Sequence, residues 1–245
     1  MAPVTKHEIA KMIDHSLLHP TMDDRALKEG IELAKNYNVA SVCIKPYAVK
    51  MAAEMLQGTE VMVGTVIGFP HGNSRVDVKV FETERAIEDG AEEIDMVVNV
   101  GKVLSEDWEY VRNEISAILT TTRKHGAALK VIFENDFLPG DSYKIKLCEI
   151  CSELKVDFVK TSTGYGFVKQ PDGSYTYKGA THADLVLMRR HTDPAVQVKA
   201  AGGVRTLEDT LKVRSLGVTR IGATTTEAII NAVEGESSGK APEGY

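Results

Sequence analysis

No apolar run in this chain approaches the ~18 consecutive residues that a membrane span needs, and the first ten residues, MAPVTKHEIA, lack the hydrophobic stretch of an export signal. Basic charge is not in excess: the net charge is −6, which argues against a nucleic-acid partner, since that would want a basic face. Cysteine is scarce and unpaired in number, three in 245 residues, with no disulfide framework, as suits a reducing cytosol. Cys148 and Cys151 form a C-x-x-C inside the helical pattern SYKIKLCEICSEL, without a redox-type strand before it; they read as two helix residues, and Cys43 reads as strand core. No H-x-H or similar ligand spacing groups the seven histidines. These absences lead to the expectation of a cytoplasmic globular protein that contacts neither membrane nor nucleic acid.

What is present is an alternation of short β-branched runs with longer amphipathic ones. Candidate strands are 13–17, 39–45, 61–67, 93–99, 129–134, 157–161, 196–200 and 220–223. Helical patterns fall between them at 23–37, 46–56, 75–89, 105–125, 141–154, 181–190 and 206–216, with a last one at 226–233 and an extra one at 6–12 before the first strand. Asp141 and Thr206 are candidate N-caps, and Gly90, Gly126 and Gly217 stand where helices should end. Eight strands each followed by a helix predict an α/β chain folded as a TIM-type (β/α)8 barrel with an extra N-terminal helix, residues 1–234 forming one domain and 235–245 a flexible C-terminal tail. A doubly wound open sheet would place a Gly-rich fingerprint after its first strand, where this chain has SLLHPT. The segment GYGFVKQPDGSYTYKGAT, with a turn at Pro171-Asp172-Gly173, predicts a β-hairpin inserted at about 167–178.

Strand parity points to chemistry. In EIDMVVN the apolar Ile94, Met96 and Val98 share one face and leave Asp95 on the other; Lys160 lies opposite Val159, and Lys199 opposite Val198. If the valine-rich faces pack on the helices, Asp95, Lys160 and Lys199 point into the barrel near the C-terminal ends of their strands, where barrels keep their active sites. One Asp and one Lys could be a structural pair. Two lysines in a poorly solvated interior are harder to explain as structure and easier as catalysis, because a neighbouring cation or a dry pocket lowers the pKa of a nucleophilic amine. Ala201-Gly202-Gly203-Val204-Arg205-Thr206 and Gly222-Ala223-Thr224-Thr225-Thr226 follow the last two strands, where barrels bind phosphate through backbone N–H groups and a helix N-terminus.

Across IDHSLLHPT, VCIKPYAV, GTVIGFPHG, EIDMVVNVG, VKTSTG, VKAAGGVRT and RIGATTTEAI the sequence resembles the deoxyribose-phosphate aldolase family over nearly its whole length. The resemblance implies that Lys160 forms a Schiff base, that Lys199 is the neighbouring ammonium and that Asp95 shuttles protons. It implies substrate or phosphate contacts at Thr163, Gly203, Val204, Gly222, Thr224 and Thr225, and a proton-relay tyrosine at Tyr245. The implied activity is reversible cleavage of 2-deoxy-D-ribose 5-phosphate to glyceraldehyde 3-phosphate and acetaldehyde, with no cofactor and no metal, by a homo-oligomer, a dimer first of all. The sequence departs from the family in having threonines at 224 and 225 where serines are common, Tyr165 where some members have lysine, and the longer hairpin. A Schiff-base aldolase for another sugar phosphate, a metal-dependent aldolase and a non-catalytic phosphate-binding barrel are the alternatives.

Overall fold

The computed structural model describes residues 4–234. In chain order the strands are β1 (Ile13–Leu17), β2 (Ser41–Ile44), β3 (Met62–Ile67), β4 (Glu93–Val97), β5 (Ala128–Ile132), β6 (Phe158–Lys160), β7 (Val168–Lys169), β8 (Tyr175–Thr176), β9 (Gln197–Ala201) and β10 (Arg220–Ala223). All but β7 and β8 pair in parallel and close into one ring, β10 returning to β1. The helices are α1 (Lys6–Ala10), α2 (Asp24–Asn36), α3 (Val49–Leu56), α4 (Val76–Glu88), α5 (Val100–Leu104), α6 (Trp108–His125), α7 (Asp141–Leu154), α8 (His182–His191), α9 (Leu207–Ser215) and α10 (Thr226–Asn231). The expected barrel, its extra N-terminal helix and the hairpin are all present. None of the helices among the described residues is long and apolar enough to cross a membrane.

Parity decides what each strand buries. Ile94, Met96, Val159 and Val198 are fully buried and belong to the apolar core between strands and helices. Their neighbours on the other face turn into the barrel, so that one strand supplies both a greasy outer layer and an ionisable inner one. Cys43, Cys148 and Cys151 are buried free thiols. Burial pushes the Cys148 thiol up to about 11 and raises Cys151 as well, which leaves the C-x-x-C unreactive.

Boundaries moved where a polar side chain captured a backbone N–H. The fourth strand was expected to run to Asn99 and the next helix to start at Ser105. Instead Asn99 caps α5, its Oδ1 accepting from Lys102 N at 3.1 Å. Glu106 then adopts a left-handed φ of 54°, and Asp107 caps α6 by accepting from Tyr110 N at 3.2 Å. Pro46, with no side-chain cap, opens a short 3-10 turn ahead of α3 rather than a single helix. Asp141 is not an N-cap: Gly140 holds that position without a side-chain bond, and Asp141, one residue inside, pairs with Lys144 at 3.0 Å. Thr206 does cap α9, in a capping box with Asp209. Gly90, Gly126 and Gly217 all have positive φ, as expected of helix-ending glycines.

Behind β4 sits a wholly buried ion pair. Lys79 of α4 donates to Glu114 Oε1 at 2.7 Å, to Gly72 O at 2.7 Å and to Val97 O at 2.8 Å. Glu114 Oε2 accepts from Asn99 N at 2.9 Å. The ammonium thus spends its three protons on the loop after β3, the end of β4 and helix α6. Gly72 fits there because it lacks a side chain: a Cβ would come within 2.0 Å of Val98 O. Replacing Lys79 with Met strands the Glu114 carboxylate in the core and should lower unfolding stability by about 3–5 kcal/mol. A Lys79→Met, Glu114→Leu double variant should regain much of that loss. Urea unfolding of both proteins checks it, and equal stability of the single variant and wild type would refute the clamp.

Candidate active site

The inward faces of β1, β4, β5, β6, β9 and β10 bring together one charged floor. Lys160 Nζ lies 2.7 Å from Asp95 Oδ2, and Lys199 Nζ lies 2.8 Å from the same oxygen. Lys160 and Lys199 are also register partners across β6 and β9. The three residues singled out from sequence therefore meet at one point.

Four further charges belong to the same floor and were not singled out. Lys130 contacts Glu93 at 2.5 Å, Asp95 Oδ1 at 3.0 Å and Asp14 Oδ2 at 3.3 Å. Arg220 contacts Asp14 Oδ1 at 2.5 Å and Glu93 at 3.1 Å, and Lys199 reaches Asp14 Oδ2 at 2.5 Å. Asp14 Oδ2 and Asp95 Oδ1 make no well-angled hydrogen bond and are met by ammonium charge instead. Four cations face three carboxylates, and all seven side chains are buried. The signal for the missed ones was the same parity: Lys130 sits between Leu129 and Val131, Glu93 shares a face with Asp95, and Arg220 precedes the outward Ile221.

With one positive charge in surplus, the cation held least firmly should lose its proton. Burial lowers the pKa of Lys160, and Lys199 lowers it further against the opposing pull of Asp95. Burial also disfavours charge on Lys199, but Asp14 and Asp95 outweigh it and hold its ammonium above the usual lysine value. Lys130, flanked by three carboxylates, is held well above it. Burial opposes ionisation of Asp95, yet Lys130, Lys160 and Lys199 keep its carboxyl well below the ordinary range. Lys160 is the candidate amine, and Asp95 is a carboxylate beside it.

Above the floor opens a cavity of about 550 Å³. Lys160, Lys199 and Cys43 line its depth, and Thr163, Gly203, Val204, Gly222 and Thr224 line its wall. Gly202 and Gly203 hold φ of 83° and 89°, a left-handed pair open to glycine and strained for other residues. A Cβ on Gly202 would approach the Gly179 Cα to 3.0 Å. At the entry to α9, Asp209 accepts from Thr206 N at 3.2 Å, and the wall also carries Thr224 and the cavity-lining Arg205. Thr225 is turned aside: it is buried, and its hydroxyl donates to Arg205 O at 2.9 Å, tying the two loops together. The Thr163 hydroxyl donates to Glu134, and Tyr165 N donates back to it at 2.9 Å. Glu134, another residue missed from sequence, thus fixes that stretch of wall. Tyr245 lies outside the described residues.

The hairpin forms one side of the mouth. Val168 pairs with Thr176 and Lys169 with Tyr175, and Phe167 meets Tyr177 edge-on at 5.2 Å. Asp136, after β5, accepts from Lys178 N at 2.5 Å and Gly179 N at 3.0 Å, so the insertion is anchored at its return. Among the described residues no group of three or more His, Cys, Asp or Glu side chains is arranged to hold a metal ion.

A dry lysine at the bottom of a sugar-sized cavity, inside a (β/α)8 barrel, is the equipment of an aldolase, and known aldolases are what the chain is similar to. The model of the DeoC/LacD family aldolases matches residues 8–241. A deoxyribose-phosphate aldolase of Rhodopirellula baltica is 53% identical over 94% of this chain and 91% of its own. One from Clostridium perfringens is 43% identical over 95% and 99%. Among solved structures, the tetrameric deoxyribose phosphate aldolase from Aeropyrum pernix superposes with a TM-score of 0.82 at 26% identity, covering 94% of this chain and 92% of that one. The chain belongs to the DeoC/LacD aldolase family.

One cavity residue gives a direct pH test. His15 Nδ1 lies 2.8 Å from Thr226 Oγ1, linking β1 to α10, and burial lowers its pKa from the ordinary 6.5 to about 4. Between these values the unfolded chain binds a proton that the folded chain refuses. The stability that His15 contributes is therefore complete above pH 6.5 and is lost as the pH falls toward 4. The loss amounts to roughly 3 kcal/mol at 1.36 kcal/mol per pKa unit. Unfolding free energies measured across this window should fall more steeply for wild type than for His15→Asn; parallel curves would refute the assignment.

Proposed function

We propose that the chain is a class I aldolase that cleaves 2-deoxy-D-ribose 5-phosphate reversibly to D-glyceraldehyde 3-phosphate and acetaldehyde through a Schiff base on Lys160. The observation that carries the reading is the buried Lys160 amine, 2.7 Å from Asp95 and beside Lys199, at the bottom of the cavity. A neutral amine attacks the C1 aldehyde of the open-chain sugar to give a carbinolamine. Asp95, which reaches both lysines, moves protons so that water can leave and the iminium forms. The C2–C3 bond then breaks toward the iminium as the C3 hydroxyl loses its proton. Glyceraldehyde 3-phosphate departs, and the enamine left behind is protonated at C2 and hydrolysed to acetaldehyde. No step calls for a cofactor.

The phosphate end is assigned to the wall formed by Gly203, Val204, Gly222 and Thr224, with Arg205 at its edge. Open loop amides and one guanidinium suit an anion on a chain whose overall charge is −6. Thr225 supports that wall by holding Arg205 O, and Thr163 belongs to the side nearer Lys160. The relatives' shared name, deoxyribose-phosphate aldolase, supports the substrate, and a cytoplasmic setting is part of the same reading. A homo-oligomer is part of the same reading, with the dimer as its simplest form; light scattering in solution decides that number.

Acetaldehyde with cyanoborohydride should leave an ethyl group on Lys160 alone, and Lys160→Ala should lose about a thousandfold or more in kcat, roughly 4 kcal/mol of barrier. Peptide mapping that finds the label on another lysine overturns the mechanism. Thr224 is exposed at the rim, so Thr224→Glu should fold normally and repel phosphate. Its kcat/KM for 2-deoxyribose 5-phosphate should drop about 10- to 100-fold, with little change for free 2-deoxyribose. Equal losses on the two sugars would remove the phosphate assignment.

A further inference from the structure

Parity, position and burial do not tell the two site lysines apart. Lys160 and Lys199 face each other in register, both are almost fully buried, and both contact the same oxygen of Asp95. Desolvation alone would favour the neutral form of either. What separates them is a second carboxylate. Lys199 Nζ lies 2.5 Å from Asp14 Oδ2, whereas among the described residues Lys160 pairs with Asp95 only.

We propose that Asp14 selects the nucleophile: by holding Lys199 as the ammonium, it leaves Lys160 as the amine. Asp14 is a positioning residue that acts through Lys199, and the proposal rests on the Lys160 reading given above. Its own geometry fits the task. Asp14 Oδ1 is fixed from both neighbouring strands, accepting from Ser41 Oγ at 2.7 Å and from Arg220 Nη1 at 2.5 Å. Oδ2 is thereby aimed at Lys199, with Lys130 further off at 3.3 Å.

The remaining charges do not supply the distinction. Glu134 acts electrostatically on Lys160 and so works against it, though burial raises its own pKa and disfavours its charged form. Glu93 is engaged by Lys130 and Arg220. Asp95 contacts both lysines through the same oxygen, and Lys130 repels Lys199, which opposes the distinction rather than supplying it. Cys43 from β2 is a thiol whose pKa burial pushes up, so it brings no charge at neutral pH. The opposite pKa directions of the two lysines follow the same division, Asp14 being the main group that offsets burial at Lys199. The carboxylate that decides which lysine reacts is therefore on β1, where Asp14 is the register partner of Gly222 on β10.

Trapping with acetaldehyde and cyanoborohydride reads the choice directly. The amine adds to the carbonyl carbon, water leaves, and hydride from the reductant fixes the imine as N-ethyl lysine. Wild type labelled anywhere but Lys160 would sink the Lys160 reading itself and is distinguishable from failure of the selector. With wild type labelled at Lys160, the Lys160→Ala protein should show only trace label at Lys199 at neutral pH. Adding Asp14→Asn to it should bring Lys199 labelling up by about tenfold or more, the change expected for a pKa drop of one unit or larger. Asp14→Glu in the same background should keep Lys199 at the trace level. A folded Asp14→Asn, Lys160→Ala protein whose Lys199 stays at that level overturns the proposal. Should that double variant fail to fold, the pH series of Lys160→Ala decides. Labelling of Lys199 above the trace level has to wait until the pH passes the ordinary lysine value of ~10.4, and its rise near neutrality overturns the selector.

Discussion

The carboxylate of Asp95 is the contact on which the rest of the site depends. It touches Lys160, Lys199 and Lys130 at once, and is itself fully buried. Charges buried in such a place are tolerated only when they are paired and hydrogen-bonded. The network meets that condition collectively rather than pair by pair, since Lys130 and Lys199 each answer to more than one carboxylate and Arg220 bridges Asp14 to Glu93. No member can be removed without changing the proton affinity of the others. The floor is thus an electrostatic unit whose members come from six strands.

Such a unit works only if the strands that carry it keep their register. Asp95 sits across from Lys130 and Lys160 across from Lys199, and a slip of one residue would turn each outward. The back of β4 is locked by the Lys79–Glu114 pair, which grips Val97 and Asn99 just beyond Asp95. On the other side, Asp14 is gripped by Ser41 and Arg220. The strands hold the charged groups of the proposed chemistry, and the parts in which this chain departs from the family, the hairpin, Tyr165 and the threonines at 224 and 225, lie after them in the chain. The division suits a barrel, where one scaffold keeps its reacting groups while the rim changes with the substrate.

Much of this was legible in the residues. Alternation of β-branched and amphipathic runs fixes an eight-stranded barrel, and two-residue periodicity puts Asp95, Lys160 and Lys199 inside it. The inward face of Asp14 was harder to see, because IDHSL carries polar residues on both faces and offers no valine-rich side to define the outside. His15, on the opposite face, is buried against Thr226, a partner more than two hundred residues away that no local pattern announces. Glu134 was missed because its role depends on a left-handed φ of 58° that folds its carboxyl back over Thr163. The wall proposed to receive the phosphate was seen from its glycines but not in full. Whether Thr225 faces the cavity or ties down Arg205 depends on how two loops meet, and sequence spacing along either loop does not contain that. Strand ends shifted where Asn99 and Asp107 traded pairing for capping.

The surplus of one positive charge has a consequence for the direction of the proposed reaction. With Lys160 neutral, three cations balance three carboxylates. Forming the iminium restores the fourth positive charge, so the covalent intermediate is electrostatically no better off than the protonated resting lysine. Cleavage of the C2–C3 bond sends an electron pair to that nitrogen and yields a neutral enamine, which returns the floor to balance. A site with excess carboxylate would have stabilised the iminium and blunted its appetite for electrons. A site with more ammonium would have hindered its formation. A floor with one carboxylate fewer than its cations lets the iminium form through Asp95 and still leaves it a strong electron sink, and the stabilisation is largest where carbon–carbon bond breaking begins to discharge it.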